Sequence, residues 1–421
     1  MKILMLSWEY PPQTVGGLAQ HVYYLSKALA KHGAEVHVIT VGGQDAVPYE
    51  ESEGVKVHRV KPYSISAPDF RTWILHLNFS LLEYSVTLIN SLKGVDMIHA
   101  HDWLVAYAGR ALKHSFRLPL VATIHATEYG RNHGLHNDNQ RYISDVEWWL
   151  TYEAWRVVIC SSYMEQELKG FFRLPADKLT VIPNGVSIDE FSVTAAPPSP
   201  NNEKYVFFIG RLVREKGVQV LIDAAPKILG SFPEARFIVA GTGPYEEHLR
   251  ARVRERGLEH RFYFAGFIDD RMKNRLYAQS SVAVFPSLYE PFGIVALEAM
   301  ASQTPVVVSD TGGLSEIVEH RTDGMKCYVN SPDSLADNIM AVLGDPNLAE
   351  RLRVNGYDKA KNKYSWFNIA GKTLLLYEEV IQQSKRQNWH SDTWMASDPI
   401  SALYEKIRSI GKNSNLNQHA H

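Results

Sequence analysis

At 421 residues the chain is roughly twice the length at which one hydrophobic core usually divides, so two domains are expected. Its 45% hydrophobic and 21% charged residues exclude a disordered protein, and a formal net charge of −2 argues against nucleic-acid binding, which draws its affinity from excess Lys and Arg. Two cysteines, Cys160 and Cys327, lie in apolar runs that read as buried strands; they imply no disulfide framework and fit a reducing, cytoplasmic setting.

The opening MKILMLSW has too short an apolar run for a signal-peptide core and reads as a first strand. A Pro and Gly loop follows, then a helix with Leu18, Val22, Leu25 and Leu29 on one face, closed by Gly33, then a strand over 36–41. This β-loop-α-β start is the unit that builds parallel sheets. The long stretch FSLLEYSVTLINSL carries Glu83 and several polar residues, so a membrane-spanning helix is not expected, and membrane contact would be peripheral, at the inner face. Further strands end in polar or glycine-rich loops at MIHAHDW, LVATIH, RVVICSS and LTVIPNG. Trp148, Trp149, Tyr152 and Trp155 in EWWLTYEAW fall at mixed helical spacing and suit either a core or interface helix or an acceptor platform.

VTAAPPSPNN, from Val193 to Asn202, reads as a linker. Beyond it YVFFIGR, RFIVAGTG, FYFAGF, VAVFPS and TPVVVSD alternate with helical segments such as EEHLRARVRERG, a second parallel α/β unit. The expected division is 1–192 and 203–364, with a helix near 365–385 returning to the first unit and an accessory or poorly ordered tail over 386–421. Ligands of open α/β sheets bind at the carboxyl ends of the strands, so the cleft between the units is the expected site.

Three loops carry the candidate chemistry. In Tyr289-Glu-Pro-Phe-Gly-Ile-Val-Ala-Leu-Glu, Gly293 marks a helix start, and the N–H groups of Phe292, Gly293, Ile294 and Val295 would face a diphosphate. Glu290 then lies in the loop and Glu298 more than a turn inside the helix, so each addresses a different part of one ligand. A carboxylate beside a diphosphate is unfavourable unless it engages hydroxyls, which points to a sugar. Arg211 and Lys216, in IGRLVREKG, flank a loop where two cations would stabilise a departing diphosphate. Gly16 and Gly17 let the backbone approach a ligand, and neither GGLAQHV nor GTGP matches the dinucleotide fingerprint G-x-G-x-x-G. Asp102 and His125 follow strands, with Glu128 and Arg131 beside them as acceptor-side candidates; His125 suits a structural histidine as well as a functional one. No Asp-x-Asp occurs, so a metal bridging the diphosphate is not signalled.

Together VGGL, TIH, IPNGV, GRLVREKG, AGTGP and EPFGIVALEAM, in that order, resemble the retaining GT-B glycosyltransferases of family 4, over roughly residues 1–385. The resemblance implies two Rossmann-like domains facing a cleft and a carboxyl-terminal helix crossing back, for which SWFNIAGKTLLLYEEVI is well placed. It implies a nucleoside-diphosphate sugar donor, UDP-glucose first, and no metal or other cofactor. By the same resemblance Arg211 and Lys216 clamp the diphosphate, Glu298 holds the ribose, Glu290 bonds the sugar hydroxyls, His125 contacts the sugar, and Gly16 and Gly17 approach the phosphates. WEYPP, VGGL and HAHDW look most like the glycogen-synthase group, although Gln13, Thr14 and Val15 stand where that group carries Lys. A polysaccharide or glycolipid acceptor of envelope or exopolysaccharide synthesis is therefore expected ahead of a glucan. Alternatives of another class are a non-catalytic nucleotide-sugar sensor and an epimerase.

Overall fold

The computed structural model describes residues 1–14, 16–43, 46–191, 203–387 and 389. The expected linker and nearly all of the expected tail lie outside the described residues.

The first sheet contains β1 (Lys2–Leu6), β2 (Glu35–Val41), β3 (Tyr49–Ser52), β4 (Val55–Val60), β5 (Met97–His101), β6 (Leu120–Ile124), β7 (Arg156–Ile159) and β8 (Leu179–Val181), ordered β3-β4-β2-β1-β5-β6-β7-β8. All neighbours are parallel except β3 against β4. Ile3 to Leu6 are fully buried, which is why β1 reads as an unbroken apolar run: helices cover both faces of a parallel sheet. The β3–β4 hairpin is absent from the sequence reading because Tyr-Glu-Glu-Ser has no apolar alternation and stays largely exposed.

The second sheet contains β9 (Lys204–Ile209), β10 (Ala235–Ala240), β11 (Phe262–Gly266), β12 (Val282–Phe285), β13 (Val306–Ser309) and β14 (Met325–Cys327), all parallel and ordered β11-β10-β9-β12-β13-β14. In each sheet the strand order reverses at the first strand, so the loops after β1 and β9 open the two crevices. Those loops carry Gly16 and Gly17, and Arg211 and Lys216.

The chain returns to the first sheet through the helix Trp366–Arg386, capped by Ser365, whose hydroxyl accepts from Asn368 N–H at 3.3 Å. Trp366 stacks on Tyr24 at 5.9 Å, Trp155 Nε1 donates to Gln383 at 3.2 Å, and the buried Tyr377 hydroxyl meets His99 Nδ1 at 2.6 Å. The helix lies within one residue of the expected 365–385 at each end. The aromatic helix is Asp138–Glu153, and Trp155 lies past its end, turned toward the crossing helix. Trp148 and Tyr152 are exposed and stacked on each other at 5.5 Å. One apolar cluster runs from Leu4, Ile98 and Ile124 of the first sheet through Phe292 and Tyr364 to Phe207 of the second and Tyr277 of the helix Asp270–Gln279.

Candidate active site

After Phe285 the chain passes through 286–293 into the helix Ile294–Ala301. Gly293 takes φ +107, and a Cβ there would stand 2.5 Å from Leu314 Cδ2, so this corner admits only glycine. The helix starts at Ile294 with Gly293 as its N-cap, and the Phe292 side chain packs into the core, which leaves its backbone alone for a ligand. Glu290 is 7% exposed; its Oε2 accepts from Lys216 Nζ at 2.7 Å and from Ser287 Oγ at 3.1 Å. The loops meet because Leu288 N–H donates to the Glu215 carbonyl at 2.7 Å. Arg211 is half exposed and lies 3.8 Å from Glu215, a long ion pair that holds its guanidinium weakly.

Glu298 forms a second pair deeper in the helix, with Lys273 Nζ at 3.1 Å and the Tyr277 hydroxyl at 3.3 Å. Burial opposes the Lys273 charge, but Glu298 and Asp270 overcome it and raise its pKa. Tyr277, pushed up by burial, is a neutral donor and also reaches the Val295 carbonyl at 3.2 Å. Each carboxylate thus rests on a lysine. An arriving phosphate can take the lysine while an arriving hydroxyl takes the carboxylate.

The facing wall comes from the first sheet. His125 follows β6, and its N–H donates to Asp102 Oδ1 at 2.8 Å. Asp102, at φ +61 and 4% exposed, is pushed up to about 6 by burial against the pull of Arg131 and that N–H. Its oxygen is therefore engaged in placing the His125 backbone. Burial, then Arg131, hold His125 down to about 3, so the ring is neutral at pH 7. Arg131 keeps its charge in a buried setting because Asp102 and Glu147 offset the cost. Glu128 donates its N–H to Glu147 at 3.0 and 3.1 Å and accepts from Asn132 at 3.0 Å. Asp102, Glu128 and Arg131 are therefore linked electrostatically around the loop after β6.

Gly16 N–H is held by Glu9 Oε2 at 3.2 Å, so a phosphate there must displace that carboxylate. A Cβ on Gly17 would lie 3.5 Å from Ile294 Cδ1, which sets this loop against the helix start of the other sheet. Glu167 joins the walls: its Oε1 accepts from Thr127 at 2.5 Å, two residues past His125, and from Tyr289 at 3.3 Å, next to Glu290. Ser161 Oγ donates to the Pro291 carbonyl at 2.6 Å, and Glu316 accepts from the N–H groups of Ser162 and Tyr163 at 3.0 and 2.7 Å. The Glu290 and His125 loops are thus brought together.

Sequence reasoning missed Lys273, Tyr277, Glu167 and Glu316. Lys273 and Tyr277 stand four apart in one helix, a readable shared face, but nothing local names Glu298 as their partner. His21 and His101 were also missed. They join His125 as a group of three able to hold a metal ion.

Residues 15–190 match the family described as Glycosyltransferase Family 4, and residues 191–359 the family described as Glycosyl transferases group 1. An uncharacterized glycosyltransferase of Methanocaldococcus jannaschii is 40% identical, over 92% of this chain and 100% of its own length. The glycogen synthase of Mycobacterium tuberculosis is 34% identical, over 90% of this chain and 94% of its own. Among solved structures, sucrose-phosphate synthase from Thermosynechococcus elongatus superposes with a TM-score of 0.81 at 25% identity, covering 91% of this chain and 99% of that one.

Proposed function

The chain belongs to the group 1, family 4 glycosyltransferases, and on that premise we propose that it moves a glucosyl residue from UDP-glucose to a carbohydrate acceptor with retention of configuration. The observation that carries this reading is the doubled lysine–carboxylate arrangement on the loop and helix after β12, with Glu290 on Lys216 and Glu298 on Lys273.

In this reading the diphosphate lies at the start of the helix Ile294–Ala301 and draws Lys216 away from Glu290, while Arg211 closes from the exposed side. Glu290 then accepts from the sugar hydroxyls, and Glu298, held by Tyr277 and Lys273, accepts from the ribose diol. Neutral His125 meets the sugar from the opposite wall. The acceptor oxygen bonds to the anomeric carbon on the face from which UDP departs, the bond to the phosphate oxygen breaks, and that oxygen takes the acceptor proton. Lys216, Arg211 and the helix start stabilise the charge that develops on the leaving group.

For the acceptor, an α-glucan end or a small glucoside stands first, because relatives over most of the chain carry the names glycogen synthase and α-maltose-1-phosphate synthase. An envelope polysaccharide or glycolipid is the second reading, favoured by Gln13, Thr14 and Val15 where the glycogen-synthase group has Lys. Among the described residues no helix is long and apolar enough to cross a membrane.

The full chain incubated with UDP-glucose, and in parallel ADP-glucose, against glycogen, maltooligosaccharides, glucose 1-phosphate and a lipid-linked sugar tests this. Release of UDP with an α-linked product is expected. Nucleotide release from neither donor with any acceptor rejects the donor assignment, and new sugar-nucleotide isomers without net UDP support the epimerase instead.

A further inference from the structure

Four histidines pack at the carboxyl end of the first sheet beside the Gly16-Gly17 loop. His99 and His101 share one face of β5, two residues apart, with ring centroids 4.1 Å apart. His125 follows the neighbouring strand, and His21 reaches in from the helix Gly17–Lys31, its ring 4.7 Å from His125 and 5.4 Å from His101. Of the four, His99 is satisfied at both nitrogens, by Tyr377 at 2.6 Å and Thr123 at 2.7 Å. His21 and His101 are not, since the buried Nε2 of each takes no hydrogen bond among the described residues. A buried imidazole nitrogen with no partner is costly, so the His21 Nε2, whose ring stands 4.7 Å from that of His125, calls for something that satisfies it.

We propose that His21, His101 and His125 form a binding site for one zinc-class divalent cation at the floor of the cleft. Their candidate ligand nitrogens all lie within 4.8 Å of one another. His101 Nδ1 and His125 Nε2 stand 3.3 Å apart, the separation of two ligands about 2.0–2.1 Å from a tetrahedral zinc ion. Cation binding replaces the single proton these two nitrogens share, and that proton leaves to solvent. His21 is oriented to join them, since its Nδ1 faces Asn184 Oδ1 at 2.7 Å, so an Nδ1–H tautomer donates there and turns the Nε2 lone pair inward. An oxygen acceptor behind a ligating imidazole is the usual support of such sites. All three rings are held neutral, chiefly by burial, which is the state a metal requires. Three imidazoles with no thiolate or carboxylate suit zinc, cobalt(II) or nickel rather than magnesium or calcium.

The cation takes His125 out of reach of a donor sugar, so occupancy inhibits transfer; this consequence, unlike the site, rests on His125 contacting the sugar. The test uses cobalt(II) as a coloured substitute for zinc on the full chain, purified without a polyhistidine tag and without sugar nucleotide. One equivalent producing the intense visible band of tetrahedral imidazole coordination, displaced by zinc, is expected. His21→Gln and His101→Gln should each weaken binding at least about tenfold, whereas the exposed His136→Ala should leave it unchanged. Near-UV circular dichroism of each variant verifies folding, and His21→Ala serves if a glutamine variant fails to fold. Absence of a saturable band, or a band unaltered in folded His21 and His101 variants, overturns the site. In a second arm zinc should suppress transfer from UDP-glucose and EDTA restore it; a stoichiometric site without suppression overturns the inhibitory role alone. A cobalt site in a chain that turns over no sugar nucleotide leaves the metal proposal standing and removes the donor reading.

Discussion

Lys216 and Glu290 are 74 residues apart in the chain, yet share a 2.7 Å charged hydrogen bond in which the carboxylate side chain is 9% exposed. Removing the lysine leaves a nearly buried carboxylate with the Ser287 hydroxyl but no counter-charge, whereas removing the carboxylate leaves a lysine free for an anion. The two substitutions should therefore differ in sign toward UDP. Lys216→Ala is expected to weaken UDP binding and to cost about 1–3 kcal/mol of stability, while Glu290→Ala keeps or raises UDP affinity and loses the added affinity of UDP-glucose. Glu298→Ala should weaken both ligands by roughly fivefold to thirtyfold, the equivalent of about 1–2 kcal/mol. Titration calorimetry with UDP and UDP-glucose reads all three, and equal affinities in every variant reject the division of roles. Glu290 and Glu298 were legible as candidates because the Pro-Phe-Gly turn and the helix after it are local. Their lysines were not, since no pattern within one segment indicates which cation meets which carboxylate.

At the scale of elements, Glu153 ends the helix Asp138–Glu153, where a carboxylate meets the negative end of the helix dipole. The helix Ala106–Phe116 compensates, with Arg110 at 3.0 Å and both Lys113 and His114 at 2.9 Å. Burial alone would push Glu153 up, but hydrogen bonds from His114, Lys113 and Arg110 hold it well below the usual carboxylate range. A depressed folded-state pKa contributes stability above the unfolded value and loses it as the pH falls toward the folded one. Glu153→Gln should accordingly destabilise the chain by about 1–3 kcal/mol at pH 7, with the difference fading below pH 4.5. Urea unfolding at the two pH values checks it, and a difference that grows in acid contradicts the assignment. The crossing helix makes a comparable prediction. Tyr377→Phe keeps the ring but leaves the buried His99 Nδ1 without its 2.6 Å partner, for an expected loss of about 1–3 kcal/mol, read as a lowered urea midpoint; an unchanged midpoint means the hydroxyl adds nothing. The helix and its return to the first unit were expected from the family resemblance. Its individual contacts were not, because Trp155 and His99 are brought beside it only by the sheet.

For the whole molecule, the relation of the two sheets is set by a few polar ties beside the apolar cluster. Ser161 both caps the helix Ser162–Phe171, accepting from Met164 N–H at 3.2 Å, and donates to Pro291 at 2.6 Å, while Glu316 binds the same helix start from the second unit. Ser161→Ala with Glu316→Ala should open the cleft, seen as a larger radius of gyration in small-angle scattering and reversed in part by UDP-glucose; superimposable curves reject these ties as determinants of closure. By itself the sequence determined the two parallel α/β units and most of their strands and loop ends, because apolar periodicity and glycine-marked corners act within a few residues, and the family resemblance added the returning helix. Only the tertiary structure decided that Lys216 and Lys273 rest on separate carboxylates, that Asp102 supports His125 from beneath, and that His21 and His101 converge on it. Those contacts join residues from different crossovers, whose approach depends on strand order and helix packing, and no local pattern in the chain records it.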